Sequence, residues 1–393
     1  MAKLDIIFNT HKGQGDCPLL TKFDTQTAQT VQDYHSSFDG YCITPLADLA
    51  DTAGQLGTGG IFVKDESFRF GLNAFKGLGG SYCLGRYISN LCGSDTVMPF
   101  DRLASDATKA VVGDVTFVTA TDGNHGRGIA WAADKLGYKS VVYMPKGSAQ
   151  ERLDNIRKAG ATAQITDKNY DDTVRFARKQ AQDNGWVLVQ DTTLPDYSEI
   201  PLMIMQGYLT MAQEAVNQLG SIKPTHLFLQ AGVGSMAGAV AAYMHNVYGN
   251  DLKIIVAEPD KADCVYRTAK ADDGSLHTVT GDMDTIMAGL ACGEVCDIGW
   301  QLLRYCADAF VSMEDSVAAQ GMRILASAEQ RVISGESGAA GFAAAAEILL
   351  NHADAKQQLG IDKNSVLLCF STEGATDREN WRSIVWQGKY PTE

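Results

Sequence analysis

Positive charge is in short supply: 33 Lys and Arg stand against 47 Asp and Glu in 393 residues, a net charge of −14. Nucleic acid and anionic membrane are bound through basic patches, so neither is expected as a partner. Long apolar runs are missing too. The longest uncharged stretch of small apolar residues, Ser337 to Ala346, is closed by Glu347 and is too short to cross a bilayer. Met1 to Thr10 carry Lys3 and Asp5 and lack the apolar run of a signal peptide, so a cytoplasmic protein is expected. No CxxC pair occurs. The nine cysteines are odd in number and scattered, unlike a secreted disulfide framework. Cys292 and Cys296 form a lone CxxxC with no second pair and no nearby His, so no metal site is expected.

What is present is a core. Hydrophobic residues make up 45% and charged residues 20% of the chain, ordinary for a globular protein. From Val115 onward, apolar β-branched runs alternate with helix-like segments: VTFVTA (115–120), SVVYM (140–144), Thr162–Thr166 and WVLVQ (186–190). A second set follows Pro224, with HLFLQ (226–230), KIIVA (253–257) and SVLLCF (365–370). Between them, Ser316 to Leu350 reads as Ala-rich helix broken at Gly335 and Gly338. Such alternation implies parallel strands with crossover helices. We expect two open, doubly wound α/β domains, a larger one from 1–88 and 222–393 and a smaller one from 89–221. Ligands of such folds bind at the carboxyl ends of strands, here in the cleft between domains.

Four segments lie where strands end and helices begin. In FGLNAFKGLGG, Lys76 follows apolar Phe75 and precedes three glycines, a setting in which a desolvated lysine becomes a nucleophilic amine. TATDGNHGRG offers the Asn124 amide and the titratable Asp122 and His125 around a helix start. QAGVGSMAG is a glycine loop whose backbone, Gly232 to Met236, suits a phosphate. It also fits the dinucleotide pattern GxGxxA, with Glu258 placed as a ribose-binding acid would be, so a nicotinamide-dependent oxidoreductase is a rival reading. FSTEGATD presents the hydroxyls of Ser371 and Thr372 at a strand end. An amine, an amide, a phosphate cradle and a neutral hydroxyl are together the partners that pyridoxal phosphate needs. The oxidoreductase reading explains the glycine loop alone.

These motifs resemble those of the tryptophan synthase β-like (fold type II) pyridoxal phosphate enzymes. The lysine motif of that family matches Ala74–Gly79, and its S-x-G-N-H loop matches Thr121–His125. Longer stretches, among them YMPKGSAQER, NYDDTVR, EPDKADC, TIMAGLACGE and ISGESGA, are similar to the branch of ammonia-lyases that acts on 2,3-diaminopropionate. The resemblance implies a fold type II enzyme, commonly a homodimer, that eliminates both amino groups of this small amino acid and leaves pyruvate. It implies Lys76 as the Schiff-base lysine and Asn124 at the ring hydroxyl. It further implies Gly232, Val233, Gly234, Ser235 and Met236 at the phosphate, and Ser371 or Thr372 at the ring nitrogen.

Asp122 occupies a position that is usually small and neutral in the family, which favours a diamino substrate over serine. Lys76 is the natural base for the L-substrate and Asp122 one for the D-substrate. Asp122, or else Asp191 at the end of WVLVQD, would face the side-chain ammonium, with His125 beside the substrate. A serine or threonine dehydratase on the same scaffold is the rival within the class, and a non-catalytic amino-acid sensor is disfavoured by the intact Lys76. The resemblance also raises a Cys264–Cys292 bridge, against which a reducing compartment argues for free thiols.

Overall fold

A computed structural model describes residues 3–121, 123–193 and 196–392, and all their side chains except that of residue 171. Two compact units divide the chain: Met1–Thr25, Ile43–Ala74 and Met211–Glu393 form the larger, Gln26–Cys42 and Phe75–Thr210 the smaller. Residues 26–42, 75–88 and 211–221 thus group differently from the limits drawn on the sequence.

The strands, in chain order, are β1 (Leu4–Phe8), β2 (Leu46–Asp48), β3 (Gly60–Asp65), β4 (Thr116–Ala120), β5 (Lys139–Met144) and β6 (Thr162–Ile165). They continue with β7 (Val187–Leu188), β8 (His226–Gln230), β9 (Lys253–Pro259), β10 (Ala309–Met313) and β11 (Val366–Ser371). The larger unit holds a sheet ordered β1-β10-β9-β8-β11-β3-β2, parallel throughout except for the antiparallel edge strands β1 and β2. Its inner strands are buried along nearly their whole length, as parallel strands covered on both faces must be. The smaller unit holds the all-parallel sheet β6-β5-β4-β7. Both are α/β sheets of the doubly wound kind.

Each sheet has one place where the strand order reverses. In the smaller unit the chain runs β4, β5, β6 to one side, and β7 then returns to the other side of β4. In the larger unit β8, β9 and β10 run one way, and β11 lies on the opposite side of β8. Loops leaving the carboxyl ends of two such neighbours diverge and leave room for a ligand. Those loops are the one that follows Ala120 and 189–193 in one unit, 231–234 and 372–377 in the other.

Three details differ from expectation. β7 is two residues long rather than five, because side chains take over its backbone partners. The Tyr197 hydroxyl accepts from the Gln190 amide at 2.8 Å and donates to the Leu188 carbonyl at 2.9 Å. The Ala-rich region is two helices, Asp315–Ser327 and Glu336–Asn351; Gly335 caps the second, but Gly338 lies inside it. Gly338 is required there by close packing, since a Cβ would fall 2.6 Å from the Glu373 carbonyl oxygen. The glycine loop drawn from Gly232 to Met236 is partly helical, since the next helix begins at Ser235 and takes Ser235 and Met236 into its first turn.

Candidate active site

In the smaller unit, Lys76 opens helix Lys76–Leu91, which lies against helix Asn124–Leu136 at a glycine contact. A Cβ on Gly128 would stand 2.9 Å from the Lys76 carbonyl carbon and oxygen. Only glycine allows this approach, and it ties the Lys76 backbone to the helix that begins the Asn124 loop. The Lys76 side chain is 20% exposed, with Nζ donating to Asp191 Oδ2 at 2.6 Å. The Phe75 ring centroid lies 5.5 Å from the same nitrogen.

Asp191 follows β7, held by its neighbour. The Gln190 side-chain oxygen accepts from the Ala120 amide at 3.2 Å and the Thr119 hydroxyl at 3.1 Å, fastening the end of β7 to the end of β4. His125 is buried; its Nε2 donates to the Val189 carbonyl at 3.0 Å, and its Nδ1 lies 3.7 Å from Asp191 Oδ2. The carbonyl only accepts, so Nε2 carries a proton and Nδ1 is the ring nitrogen that faces the carboxylate. Burial would raise the Asp191 carboxyl, but the His125 and Lys76 charges outweigh it and hold Asp191 well below the usual carboxylate range. Lys76, His125 and Asp191 thus meet at one point. Asn124, half-buried, is the first residue of its helix. Asp122 lies outside the described residues.

In the larger unit, the glycine loop runs from β8 into helix Ser235–Tyr248. Gly234 caps the helix at φ 91°, a left-handed conformation that favours glycine. A Cβ on Gly232 would come 3.1 Å from Cys292 Sγ and 3.3 Å from Leu290 Cα. The first helical bond runs from Gly238 N–H to the Gly234 carbonyl at 2.8 Å, so the amides of Ser235, Met236 and Ala237 project from the helix end, as an anion requires. Beside this loop Ser371 ends β11 and Thr372 follows it, both buried. A lysine amine, a helix-end anion cradle and buried neutral hydroxyls match the donor set that pyridoxal phosphate demands.

Glu258 departs from the sequence reading. It is fully buried and accepts from the Val265 and Tyr266 amides at 2.9 and 2.6 Å, and burial pushes its carboxyl well above the usual range. It serves the start of helix Cys264–Ala271 and is not placed to meet a ribose. The nine cysteines are free thiols, with Cys264 Sγ 3.6 Å from the Gly232 carbonyl. Among the described residues, no group of three or more His, Cys, Asp and Glu is arranged to hold a metal ion. Gln190, Tyr197 and Gln230 were not singled out from the sequence; for the two glutamines a polar residue closing an apolar strand was the one visible signal, and Tyr197 offered none.

The chain belongs to the pyridoxal-phosphate dependent enzyme family, whose model matches residues 38–371. Within it the similarity is to diaminopropionate ammonia-lyases. That of Salmonella typhimurium is 48% identical over 394 residues, covering 97% of this chain and 98% of the relative. That of Escherichia coli is 47% identical over 397 residues, covering 99% and 98%. The solved holo structure of the Escherichia coli diaminopropionate ammonia lyase superposes with a TM-score of 0.92 at 46% identity, covering 99% of this chain and 98% of that one. The cofactor is pyridoxal phosphate, and the fold is that of the fold type II enzymes.

Proposed function

We propose that this protein converts 2,3-diaminopropionate and water to pyruvate and two molecules of ammonia. The observation that carries the reading is the Lys76 amine, paired at 2.6 Å with a buried carboxylate where the β4/β7 strand order reverses, in a chain 48% identical to a diaminopropionate ammonia-lyase. Lys76 would hold the cofactor aldehyde, Asn124 the ring hydroxyl, residues 232–236 the phosphate, and Ser371 or Thr372 the ring nitrogen. When bound, pyridoxal phosphate supplies an electron sink for the pair left at Cα.

The remaining work falls to the protein's own residues. Lys76, released by the incoming substrate amine, takes the Cα proton of the L-enantiomer, and Asp122 takes that of the D-enantiomer. A substrate with a side-chain ammonium needs a buried counter-charge, and Asp191, a carboxylate that its neighbours hold ionised, would supply it. His125 steadies Asp191 through Nδ1 while anchored at Val189. The β-amino group leaves as ammonia, and hydrolysis of the three-carbon product yields pyruvate and the second ammonia. The neutral hydroxyl at the ring nitrogen favours elimination over transamination. We place the enzyme in the cytoplasm as a homodimer, supported by its free thiols and its family resemblance.

The test is pyruvate release from each diaminopropionate enantiomer, with serine and threonine as competitors for the dehydratase reading. Lys76→Ala should lose the visible absorbance of bound cofactor together with turnover. Asp122→Asn should keep the absorbance and lose rate chiefly on the D-enantiomer, by about 100-fold or more as for a removed general base. Faster release from serine than from either diaminopropionate would overturn the assignment.

A further inference from the structure

Where the strand order reverses in the larger unit, the buried Gln230 carboxamide decides which hydroxyl has a proton to offer. Its Nε2 lies 3.0 Å from the Phe370 carbonyl, 3.2 Å from the Gly338 carbonyl and 2.9 Å from Thr372 Oγ1. Two of these neighbours are carbonyl oxygens that only accept, so the atom facing them is the nitrogen; an inverted amide would set oxygen against oxygen. An amide nitrogen only donates. Its two protons face three oxygens, and the shortest contact is the one to Thr372 Oγ1, which accepts from Gln230; the threonine's own proton points elsewhere, with no acceptor in place among the described residues.

Ser371 differs. Its hydroxyl donates to Ser334 Oγ at 2.8 Å, with the Glu373 carbonyl at 3.4 Å, so its one proton is taken up within the fold. The room that Gln230 occupies is also specific. A Cβ on Gly341 would come within 2.9 Å of both Gln230 Oε1 and the Phe228 carbonyl. A glycine inside a helix is unfavourable unless something needs the space, and here the amide does.

Resting on the reading that a hydroxyl at the end of β11 meets the ring nitrogen of pyridoxal phosphate, we propose that Gln230 is a positioning residue. By donating to Thr372 Oγ1, it makes Thr372 the hydroxyl that meets the ring and fixes it as a donor, which keeps the ring nitrogen unprotonated. A protonated ring would aim a second donor at Thr372 Oγ1 and leave the threonine proton buried without an acceptor. An unprotonated ring draws electrons from Cα less strongly, and departure of the β-amino group then outruns proton return to the cofactor.

The experiment uses holoenzyme carrying pyridoxal phosphate labelled with ¹⁵N in its ring. The nitrogen resonance is expected at the unprotonated position across neutral pH, unmoved in Ser371→Ala and displaced in Thr372→Val. In Gln230→Met no donor remains, Thr372 turns its proton to the freed Phe370 or Gly338 carbonyl, and the resonance should move to the protonated position. A second readout is the affinity of apo-protein for the 1-deaza analogue, in which carbon replaces the ring nitrogen. It should bind wild type about tenfold more weakly than the natural cofactor, a step of about 1.4 kcal/mol, because its ring C–H cannot accept from Thr372. A protonated nitrogen in wild type overturns the proposal. So does a resonance that follows Ser371→Ala instead of Thr372→Val, or one that ignores Gln230→Met. Failure of the functional reading looks different: Lys76 then carries no cofactor and no bound ¹⁵N signal exists.

Discussion

Replacing Asp191 by Asn removes the carboxylate that Lys76 and His125 share while keeping its size. Unit charges about 4 Å apart attract by about 4 kcal/mol at an effective dielectric of about 20. The Lys76 side chain is 20% exposed and that of Asp191 8%, so the pair lies between a surface bridge, worth under about 1 kcal/mol, and a buried one, whose breakage costs about 3–5 kcal/mol. Desolvation cancels part of the attraction, leaving an expected coupling of about 2 kcal/mol. The measurement is a double-mutant cycle in cofactor-free protein, from Asp191→Asn, Lys76→Met and the double variant. Urea unfolding would be followed by both tryptophan fluorescence and circular dichroism, whose transitions must coincide. His125 keeps Lys76→Met from stripping Asp191 of every partner, so Asp191→Asn should be the more harmful single change.

The pH dependence gives an independent check. Asp191 lies below its ordinary value in the folded protein, so its contribution is present above the unfolded-state pKa of about 3.9 and is lost as pH falls toward the lower folded value. The stability difference between wild type and Asp191→Asn should be level at neutral pH and shrink below about pH 4. A coupling under about 0.5 kcal/mol, the scatter of independent sites, would refute the ion-pair account of this centre.

Two further predictions follow from buried groups. Burial and the neighbouring Glu373 push Glu336 up to about 7, so the folded state binds the extra proton and stability falls as pH rises from the ordinary 4.5 through 7. Glu336→Gln, which keeps an oxygen for the 2.6 Å bond from Asn380, should be neutral near pH 4 and stabilise by about 2–3 kcal/mol at pH 8; thermal melts at the two pH values decide it. Gly128→Ala forces a methyl group against the Lys76 backbone and should lower kcat at least tenfold, whereas Gly185→Ala, at an open C-cap with φ 67°, should affect stability alone. Steady-state kinetics on the two variants separate these outcomes.

The parallel sheets were legible because their strands are continuous apolar runs, and the reactive segments because glycines cluster where strands end. Pairing across long separations was not. Asp191 was visible as an acid at a strand end, but its bond to Lys76 spans 115 residues and depends on the glycine contact that brings the two helices together. Glu258 shows the converse. Its spacing from a glycine loop suited a ribose, yet an acid that accepts two amides of a nearby helix start looks the same in sequence. β7 was overread for a similar reason: WVLVQ has the composition of a longer strand, and Gln190 and Tyr197 use side chains where a ladder would use backbone.

The two reversal points divide the chemistry by charge. At β4/β7 the groups are ionic, an ammonium and a carboxylate beside an imidazole, suited to moving protons and facing a charged amine. At β8/β11 they are amides and hydroxyls, although buried carboxylates, Glu258, Glu336 and Glu373 among them, lie in that unit. These are tied down: Glu258 by the Val265 and Tyr266 amides, Glu373 by the Ser337 amide at 3.2 Å, Glu336 by Asn380, and Asp65, opposite Ser371, by the Ser67 amide at 3.0 Å. An unsatisfied carboxylate at the end of β8 or β11 would repel a phosphate and would invite a proton onto a ring nitrogen. On the proposed assignment, holding those acids in local bonds keeps the glycine loop open to an anion and leaves the Gln230–Thr372 pair to set the protonation of the ring nitrogen.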